Sequence, residues 1–260
     1  MAVQDDRREN ELIRLFGLEK PANSSRSGLD AILPLPGLDV PFELKSTTVG
    51  SVTTVRDFGA DHIRKWKNKH WLIGFYDTSG RTLKRCLYGP PLAMEPWIAA
   101  REKYIASDIA LVEYVPQLVT EEILFRILGK KVRYPITDAM RIQKNQLTRA
   151  QYEARMDRTG GFSAEAMVRL LRERCAYLVA RGATLNNPHI NAEYFSGKKG
   201  APGTDRGPGS WVTLDLRQPK EHLRDEVRKA LKPPRKAQID RVKREAEELS
   251  IALASGKEEP

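Results

Sequence analysis

The sequence has few of the residues on which several classes of protein depend. Its 260 residues include two cysteines, Cys86 and Cys175, which are too few and too far apart for a disulfide framework. The four histidines show no metal-ligand spacing, which argues against a zinc site of cysteine and histidine. Both cysteines are therefore expected to be free thiols in a reducing compartment.

Long hydrophobic runs are also missing. No stretch approaches 18 consecutive apolar residues, and the polar N-terminal segment MAVQDDRREN lacks the apolar region of a signal peptide. We therefore expect a soluble, cytoplasmic protein that does not act at a membrane.

Positive charge, in contrast, is in excess. The chain carries 44 Lys and Arg against 34 Asp and Glu, for a formal net charge of +10. Such an excess attracts polyanions, and nucleic acid is the commonest polyanion that a protein of this kind meets. A ribosome-associated protein and a basic surface without a specific role are the alternatives on charge alone.

The order of periodic segments predicts an α/β or α+β fold. Apolar residues at helical spacing predict a short helix at 7–16, followed by two strands around the PLPG turn and a helix at DHIRKWKNK. HWLIGFYD has the length and composition of a buried strand, and TLKRCLYG of its hairpin partner. Residues 119–182 read as three or four helices, so the second half of the chain is expected to be rich in helix.

The turn at Pro36-Gly37 predicts the register of the first two strands. Proline followed by glycine suits a type II turn, in which the glycine position has a positive φ. A hairpin centred there pairs apolar residues on one face, namely Leu29 with Leu44, Ala31 with Phe42, and Leu33 with Val40. The agreement of these three pairs supports the register.

The same register places Asp30 opposite Glu43 on the other face, with Lys45 two residues further along. Directly opposed β-carbons lie roughly 4.5–5.5 Å apart, and like charges at that distance repel each other. A divalent cation between the carboxylates reverses the sign of the interaction, and Mg²⁺ suits such a site because it prefers oxygen ligands. Lys45 is then placed to orient an attacking water or to stabilise charge on a phosphate.

A structural interpretation of the same residues remains open at this point. Lys45 can neutralise the two carboxylates in a salt bridge, and Pro34 and Pro41 can disturb the ladder so that the register shifts. The full pattern is more selective than its parts, because Glu43 is the only acidic residue of the chain with a lysine two positions later. We therefore predict a metal-dependent phosphodiesterase centre.

Asp30 followed by Glu43-Leu44-Lys45 resembles the PD-(D/E)xK motif of a nuclease superfamily that includes the type II restriction endonucleases. Gly28-Leu29 stands where the motif has its proline. The resemblance covers roughly residues 7–90 and implies a restriction-endonuclease-like core, a mixed β-sheet flanked by helices. It places the nuclease core at residues 1–118 and leaves 119–260 as a helical, basic portion for DNA recognition and dimerisation, packed with the core as one continuous domain.

The resemblance also implies the roles of the residues. Asp30 and Glu43 bind Mg²⁺, with the Leu44 carbonyl as a further ligand, and Lys45 orients or helps to deprotonate the water. Many members of the superfamily add a glutamate from the first helix, for which Glu11 is the first candidate and Glu9 the second.

On this basis we expect a prokaryotic, homodimeric type II restriction enzyme that hydrolyses double-stranded DNA and leaves 5′-phosphates. The alternatives are a repair or junction-resolving nuclease of the same superfamily and a non-catalytic nucleic-acid-binding protein. The residues expected to contact DNA are hydroxyl-bearing or basic: Ser46, Thr47, Thr48, Arg56, Lys65, Lys67, Arg141, Lys144, Lys198 and Lys199.

Overall fold

The computed structural model describes residues 2–21, 28–195 and 210–257. The helices are α1 (Ala2–Phe16), α2 (Ala60–Trp66), α3 (Pro91–Tyr104), α4 (Ala106–Tyr114), α5 (Glu121–Leu128), α6 (Ile136–Gln143), α7 (Arg149–Glu153), α8 (Ala164–Gly182), α9 (Ala192–Phe195), α10 (Pro219–Ala230) and α11 (Lys236–Ala254), and a 3₁₀ helix spans Val115–Leu118. The strands are β1 (Ala31–Leu35), β2 (Leu38–Thr47), β3 (Val52–Thr53), β4 (His70–Tyr76), β5 (Leu83–Gly89), β6 (His189–Ile190) and β7 (Val212–Thr213). The protein is thus mixed α/β, with a helix-rich second half.

The chain forms two compact units. Unit 1 consists of Met1–Tyr104 together with Leu185–Pro260, and unit 2 consists of Ile105–Thr184. The sequence placed a single division after residue 118 and assigned everything beyond it to the second portion. In the structure, the C-terminal segment belongs with the N-terminal one, because β7 pairs with β5, α10 packs on α1, and α11 packs along α3.

Unit 1 is built around a mixed sheet of five strands in the order β1-β2-β4-β5-β7. The β2–β4 pair is parallel and the other pairs are antiparallel. Every residue of β4 is buried, as expected for a central strand with helices over both faces of its sheet. The short strands β3 and β6 form a separate two-stranded sheet.

The predicted register of the first hairpin is confirmed from Ala31 to Leu35. The two predicted pairs beyond it, Leu29 with Leu44 and Asp30 with Glu43, are not part of the ladder, because Asp30 precedes β1 and meets the Leu44 N–H through its side chain. Ala31 pairs with Phe42 and Leu33 with Val40, as the turn at Pro36-Gly37 requires. Gly37 has a φ of +74°, which is the backbone conformation predicted for this turn and which residues with a side chain rarely adopt.

The two strand prolines do not disturb this register. Pro34 lies in β1, which is the edge strand of the sheet, and Pro41 precedes the point where β2 begins to pair with β4. Neither position requires a backbone N–H for the ladder, because edge strands and strand ends are where proline is tolerated.

Apolar side chains cover one face of the sheet in unit 1. Leu12 and Phe16 of α1 pack with Phe42 and Leu44 of β2, and Leu223 of α10 completes the same core cluster. All five are 5% exposed or less, so the even-numbered residues of β2 face this core. The odd-numbered residues, Glu43 and Lys45 among them, therefore project from the opposite face.

Unit 2 has a core of its own, formed where α5, α6, α7 and α8 meet. Tyr134, Tyr152, Phe162 and Met167 are buried in it. Ser163 caps α8 by accepting a hydrogen bond from the Ala166 N–H at 3.1 Å, as its position before the helix predicts. No helix in the described part of the chain is long and apolar enough to cross a membrane.

Candidate active site

The first hairpin brings Asp30 to the side of β2. Asp30 lies immediately before β1, and its Oδ2 accepts a hydrogen bond from the Leu44 N–H at 2.9 Å. The N–H and C=O of one strand residue project to the same edge of the strand, so the Leu44 carbonyl also lies on the Asp30 side of β2. Asp30, Glu43 and the Leu44 carbonyl are therefore presented together at the point where the β1–β2 ladder ends.

Glu43 is buried between two lysines. Its Oε1 accepts a hydrogen bond from the Lys45 Nζ at 2.8 Å, and its Oε2 accepts one from the Lys69 Nζ at 2.6 Å. The side chains of Glu43 and Lys69 are 5% and 8% exposed, and that of Lys45 is 16% exposed. The structure thus brings Asp30, Glu43 and Lys45 together, as the sequence predicted, and adds a second cation.

Sequence reasoning missed Lys69. This lysine stands directly before β4 and looks like the polar boundary of a buried strand. It reaches Glu43 because β4 runs parallel to β2 with Phe42 beside His70 and Glu43 beside Trp71. The pairing of strands so far apart in the chain is a property of the tertiary structure, and no local spacing signals it.

Burial and neighbouring charges shift the pKa values of Asp30 and Glu43 in opposite directions. Burial, reinforced by the neighbouring Glu43 carboxylate, raises the pKa of Asp30 from its ordinary 3.8 to about 6. Burial alone would also raise the pKa of Glu43, but Lys45 and Lys69 outweigh it, and the pKa of Glu43 is lowered. Glu43 is consequently an anion at neutral pH, whereas Asp30 titrates close to the physiological range.

Lys45 is held as a cation. Burial on its own would lower the pKa of Lys45, but the Glu43 and Asp30 carboxylates raise it above its ordinary 10.5. The ammonium group also lies 5.8 Å from the ring centroid of Trp66, whose side chain is buried among other aromatic residues. Lys45 therefore acts in this arrangement as a donor of hydrogen bonds and as a positive charge.

The two glutamates of α1 occupy different surroundings. Glu11, the first candidate for a third carboxylate, accepts a hydrogen bond from the Tyr76 hydroxyl at 3.1 Å. Glu9 lies 3.5 Å from the Lys20 ammonium and contributes to the raised pKa of Lys45. The contribution of Glu9 is smaller than those of the Glu43 and Asp30 carboxylates.

The oxygen ligands at the site fit a hard divalent cation. In the described part of the chain, no three side chains of His, Cys, Asp or Glu converge as a ligand group. Asp30 and Glu43 offer two carboxylates, which is the protein contribution that Mg²⁺ commonly accepts while it retains several waters. Burial, with the neighbouring Glu43 carboxylate, raises the pKa of Asp30, and a cation bound beside this carboxylate would favour its ionised form.

The predicted DNA-contacting residues of unit 1 lie at the end of β2, along the segment after it, and in or directly after α2. Thr47 is buried, and its hydroxyl donates to the Val49 and Ser51 carbonyls, so it shapes the loop. Lys67 is ion-paired with Glu102 at 2.8 Å. The other four are half-buried or exposed: Ser46, Thr48, Arg56 and Lys65.

Two further predicted contacts belong to unit 2. Arg141 and Lys144 are exposed and line a depression at the C-terminal end of α6, together with Met140. Lys198 and Lys199 lie outside the described residues. Contact of all ten residues with DNA stays a prediction.

The chain matches no protein-family model, and no curated protein matches it significantly. Its function is therefore inferred from the residues themselves.

Proposed function

We propose that the protein is a Mg²⁺-dependent, sequence-specific endonuclease of double-stranded DNA, of the type II restriction class. The observation that carries this proposal is the convergence of Asp30, Glu43 and Lys45 at the end of the first hairpin. Two carboxylates and a lysine at one point are what hydrolysis of a phosphodiester requires, namely a metal site and a cation beside it. The net charge of +10 agrees with a polyanionic substrate.

The sheet supports a restriction-endonuclease-like core. The hairpin β1–β2 carries the acidic residues, α2 follows it, and β4 returns parallel to β2. This order places the lysine and the second carboxylate on β2, which pairs with β4 at both positions and with β1 up to Phe42, so their backbone is fixed in the sheet.

Asp30, Glu43 and the Leu44 carbonyl are the groups that would hold Mg²⁺. When bound, the ion lowers the pKa of a water ligand and stabilises negative charge on the phosphate. Glu43 must exchange a lysine contact for the metal, because both of its oxygens accept hydrogen bonds from ammonium groups. Glu9, rather than Glu11, is the carboxylate of α1 that we assign to the site, because it acts on Lys45.

Lys45 orients the attacking water and stabilises the developing charge. Since its pKa is raised, Lys45 donates hydrogen bonds and does not accept the proton of the water in this arrangement. The water gives up a proton to solvent and its oxygen forms the new bond to phosphorus. The bond to the 3′-oxygen breaks, that oxygen takes up a proton from solvent, and the products carry a 5′-phosphate and a 3′-hydroxyl. Lys69 acts through Glu43, which it keeps ionised and positioned.

Replacement of the two lysines by methionine separates these roles. We expect Lys45→Met to reduce cleavage by about 10²–10³-fold, because it removes a group that stabilises the transition state. Lys69→Met is expected to cost roughly tenfold, as for a residue that supports a ligand, and to shift the acid limb of the pH profile upward because the pKa of Glu43 rises. Rates of duplex cleavage against pH in Mg²⁺ measure both effects.

Lys84→Met is the matched control, since Lys84 is an exposed lysine on β5 of the same sheet. Discrete fragments that require Mg²⁺ in wild type and in Lys84→Met, and vanish in Lys45→Met, support a restriction nuclease. Cleavage only at branched or damaged DNA indicates a repair or junction-resolving nuclease instead. Cleavage that survives Lys45→Met contradicts the assigned centre, and DNA binding without any cleavage favours a structural role for the carboxylates.

We propose further that the enzyme acts as a homodimer through unit 2. None of the side chains of α4 is buried, although the helix is largely apolar, and it packs beside α8. Tyr114 at 69%, Leu118 at 71% and Leu178 at 54% exposure extend this apolar surface. A self-complementary patch suits a two-fold dimer, in which two copies meet the two strands of a symmetric DNA site.

We expect wild type to sediment with the mass of two chains and Leu118→Glu/Leu178→Glu with the mass of one, because buried carboxylates oppose the contact. Leu231→Glu is the control, since Leu231 is a similarly exposed leucine in unit 1. A double variant that remains dimeric excludes this surface, and a monomeric wild type excludes the dimer.

A further inference from the structure

An exposed segment of unit 2 presents several cations on a rigid support. Residues Lys130–Arg133, here called the KKVR loop, connect α5 to α6. Directly after the loop, Tyr134 and Phe162 exchange backbone hydrogen bonds of 3.0 and 2.9 Å. Arg158 and Gly161 close a tight turn with bonds of 3.2 and 3.1 Å. The loop is thereby tied to a short hairpin and is not a free connection.

Side-chain contacts hold the loop in place. The Arg133 guanidinium donates to the Thr159 carbonyl at 3.0 Å, and the Tyr134 hydroxyl donates to the Gly129 carbonyl at 2.9 Å. A β-carbon on Gly161 would lie 2.5 Å from the Tyr134 carbonyl oxygen, so only glycine permits this approach. A surface fixed in this way loses little conformational entropy when it binds a partner.

The loop and its hairpin concentrate positive charge without matching carboxylates. Residues 130–134 and 158–162, which form the loop and its hairpin, contain four Lys and Arg and no Asp or Glu. Lys131 pairs with Asp138 at 2.7 Å. Among the described residues, Lys130, Arg133 and Arg158 form no ion pair with a carboxylate, although all three are exposed. Cations in this state are available to neutralise phosphates.

An apolar side chain stands in the middle of these cations. Val132 is 101% exposed, which is the largest exposure among the large hydrophobic residues of the described chain. In some proteins that bind duplex DNA, basic side chains bind the phosphates while an apolar side chain between them enters a groove. A purely acidic protein partner leaves the apolar tip without a role, so duplex DNA fits the surface better.

We propose that the KKVR loop and Arg158 form a contact surface for duplex DNA, with the cations on phosphates and Val132 in a groove. The proposal rests on the proposed function for the identity of the polyanion. It assigns to unit 2 a docking element separate from the depression lined by Arg141 and Lys144.

Binding of a fluorescently labelled duplex in EDTA, where cleavage does not occur, tests this surface. We expect Lys130→Ala/Arg133→Ala/Arg158→Ala to weaken binding about tenfold or more at low salt. The slope of log affinity against log salt is expected to fall by about 2.7, because each phosphate contact contributes about 0.9. Val132→Ser is expected to weaken binding without changing the slope, and without lowering the midpoint of thermal unfolding, since the side chain touches solvent alone.

Lys232→Ala/Lys243→Ala/Arg244→Ala is the control, because it removes the same charge from exposed positions of unit 1. Equal losses in both triple variants would mean that only net charge matters and would overturn the proposal. The proposal would also be overturned if the loop variants bound duplex DNA as well as wild type does, or if they lost binding only to single-stranded RNA. If wild type binds duplex through the loop but never cuts it, this inference stands and the proposed function fails.

Discussion

Glu43→Gln is expected to abolish cleavage and to destabilise the protein at the same time. The substitution removes the negative charge that the metal and both lysines require, so we expect a loss of activity of about 10²–10³-fold. It also leaves Lys45 and Lys69 buried without their counter-charge. Removal of one partner from a buried ion pair costs about 3 kcal/mol or more in the free energy of unfolding.

Denaturant unfolding of Glu43→Gln against wild type measures the second effect, and duplex cleavage the first. Glu102→Gln is the matched control, because Glu102 also pairs with a lysine, at 2.8 Å, but is 42% exposed. A surface pair of this kind contributes about 1 kcal/mol or less, so the control should stay close to wild type. Full stability in Glu43→Gln would mean that the two lysines do not depend on this carboxylate.

Asp30→Asn is expected to abolish cleavage as well, but to stabilise the protein in EDTA. The pKa of Asp30 is raised in the folded state to about 6, so folding favours the protonated form. This contribution is complete below the ordinary pKa of 3.8 and is lost as pH rises through about 6. Above that pH the charged carboxylate opposes folding, and a neutral asparagine removes the cost, which corresponds to about 3 kcal/mol for the rise in pKa from 3.8 to about 6.

The free energy of unfolding from pH 4 to pH 8 tests this prediction. The difference between Asp30→Asn and wild type should be near zero at the acid end and should grow toward pH 8. Mg²⁺ should then stabilise wild type and not the variant, since only wild type offers both carboxylates. Asp39→Asn, which changes an exposed residue of the same hairpin, is the control. We expect it to leave the free energy of unfolding close to that of wild type across this pH range. A variant less stable than wild type at pH 8 would contradict the expected cost of burying the ionised Asp30 carboxylate.

The opposite signs expected for Asp30 and Glu43 follow from tertiary contacts that the sequence does not display. Both residues are carboxylates on one hairpin, and local pattern treats them alike. Lys45 and Lys69 make the difference, because both ammonium groups donate hydrogen bonds to Glu43 and lower its pKa. Lys45 lies on the same strand, but Lys69 stands directly before β4, 26 residues further along the chain.

The surroundings of the two glutamates of α1 are a second feature that the sequence alone did not predict. Helical periodicity predicted a helix ending at Phe16, and the structure confirms it with the helix extending back to Ala2. The surroundings of Glu9 and Glu11 depend on the rotation of that helix on the sheet, which Leu12 and Phe16 settle by packing into the core. The division of the chain is a similar case, since β7, α10 and α11 join unit 1 through contacts with elements that precede unit 2.

The sequence by itself determined the hairpin. A proline-glycine turn and alternating apolar residues act over short distances, and together they specify which residues face each other. Glu43 and Lys45 share a face of β2 because side chains alternate along a strand, whereas Asp30 joins them beyond the paired residues through its side-chain hydrogen bond with the Leu44 N–H. Only the tertiary structure decided what surrounds the three residues. The parallel pairing of β2 with β4 and the position of α1 on the sheet depend on the burial of apolar surface between distant segments of the chain. The sequence therefore predicted which side chains form the site, but it did not predict how the surrounding charges and burial shift the pKa values of the two carboxylates.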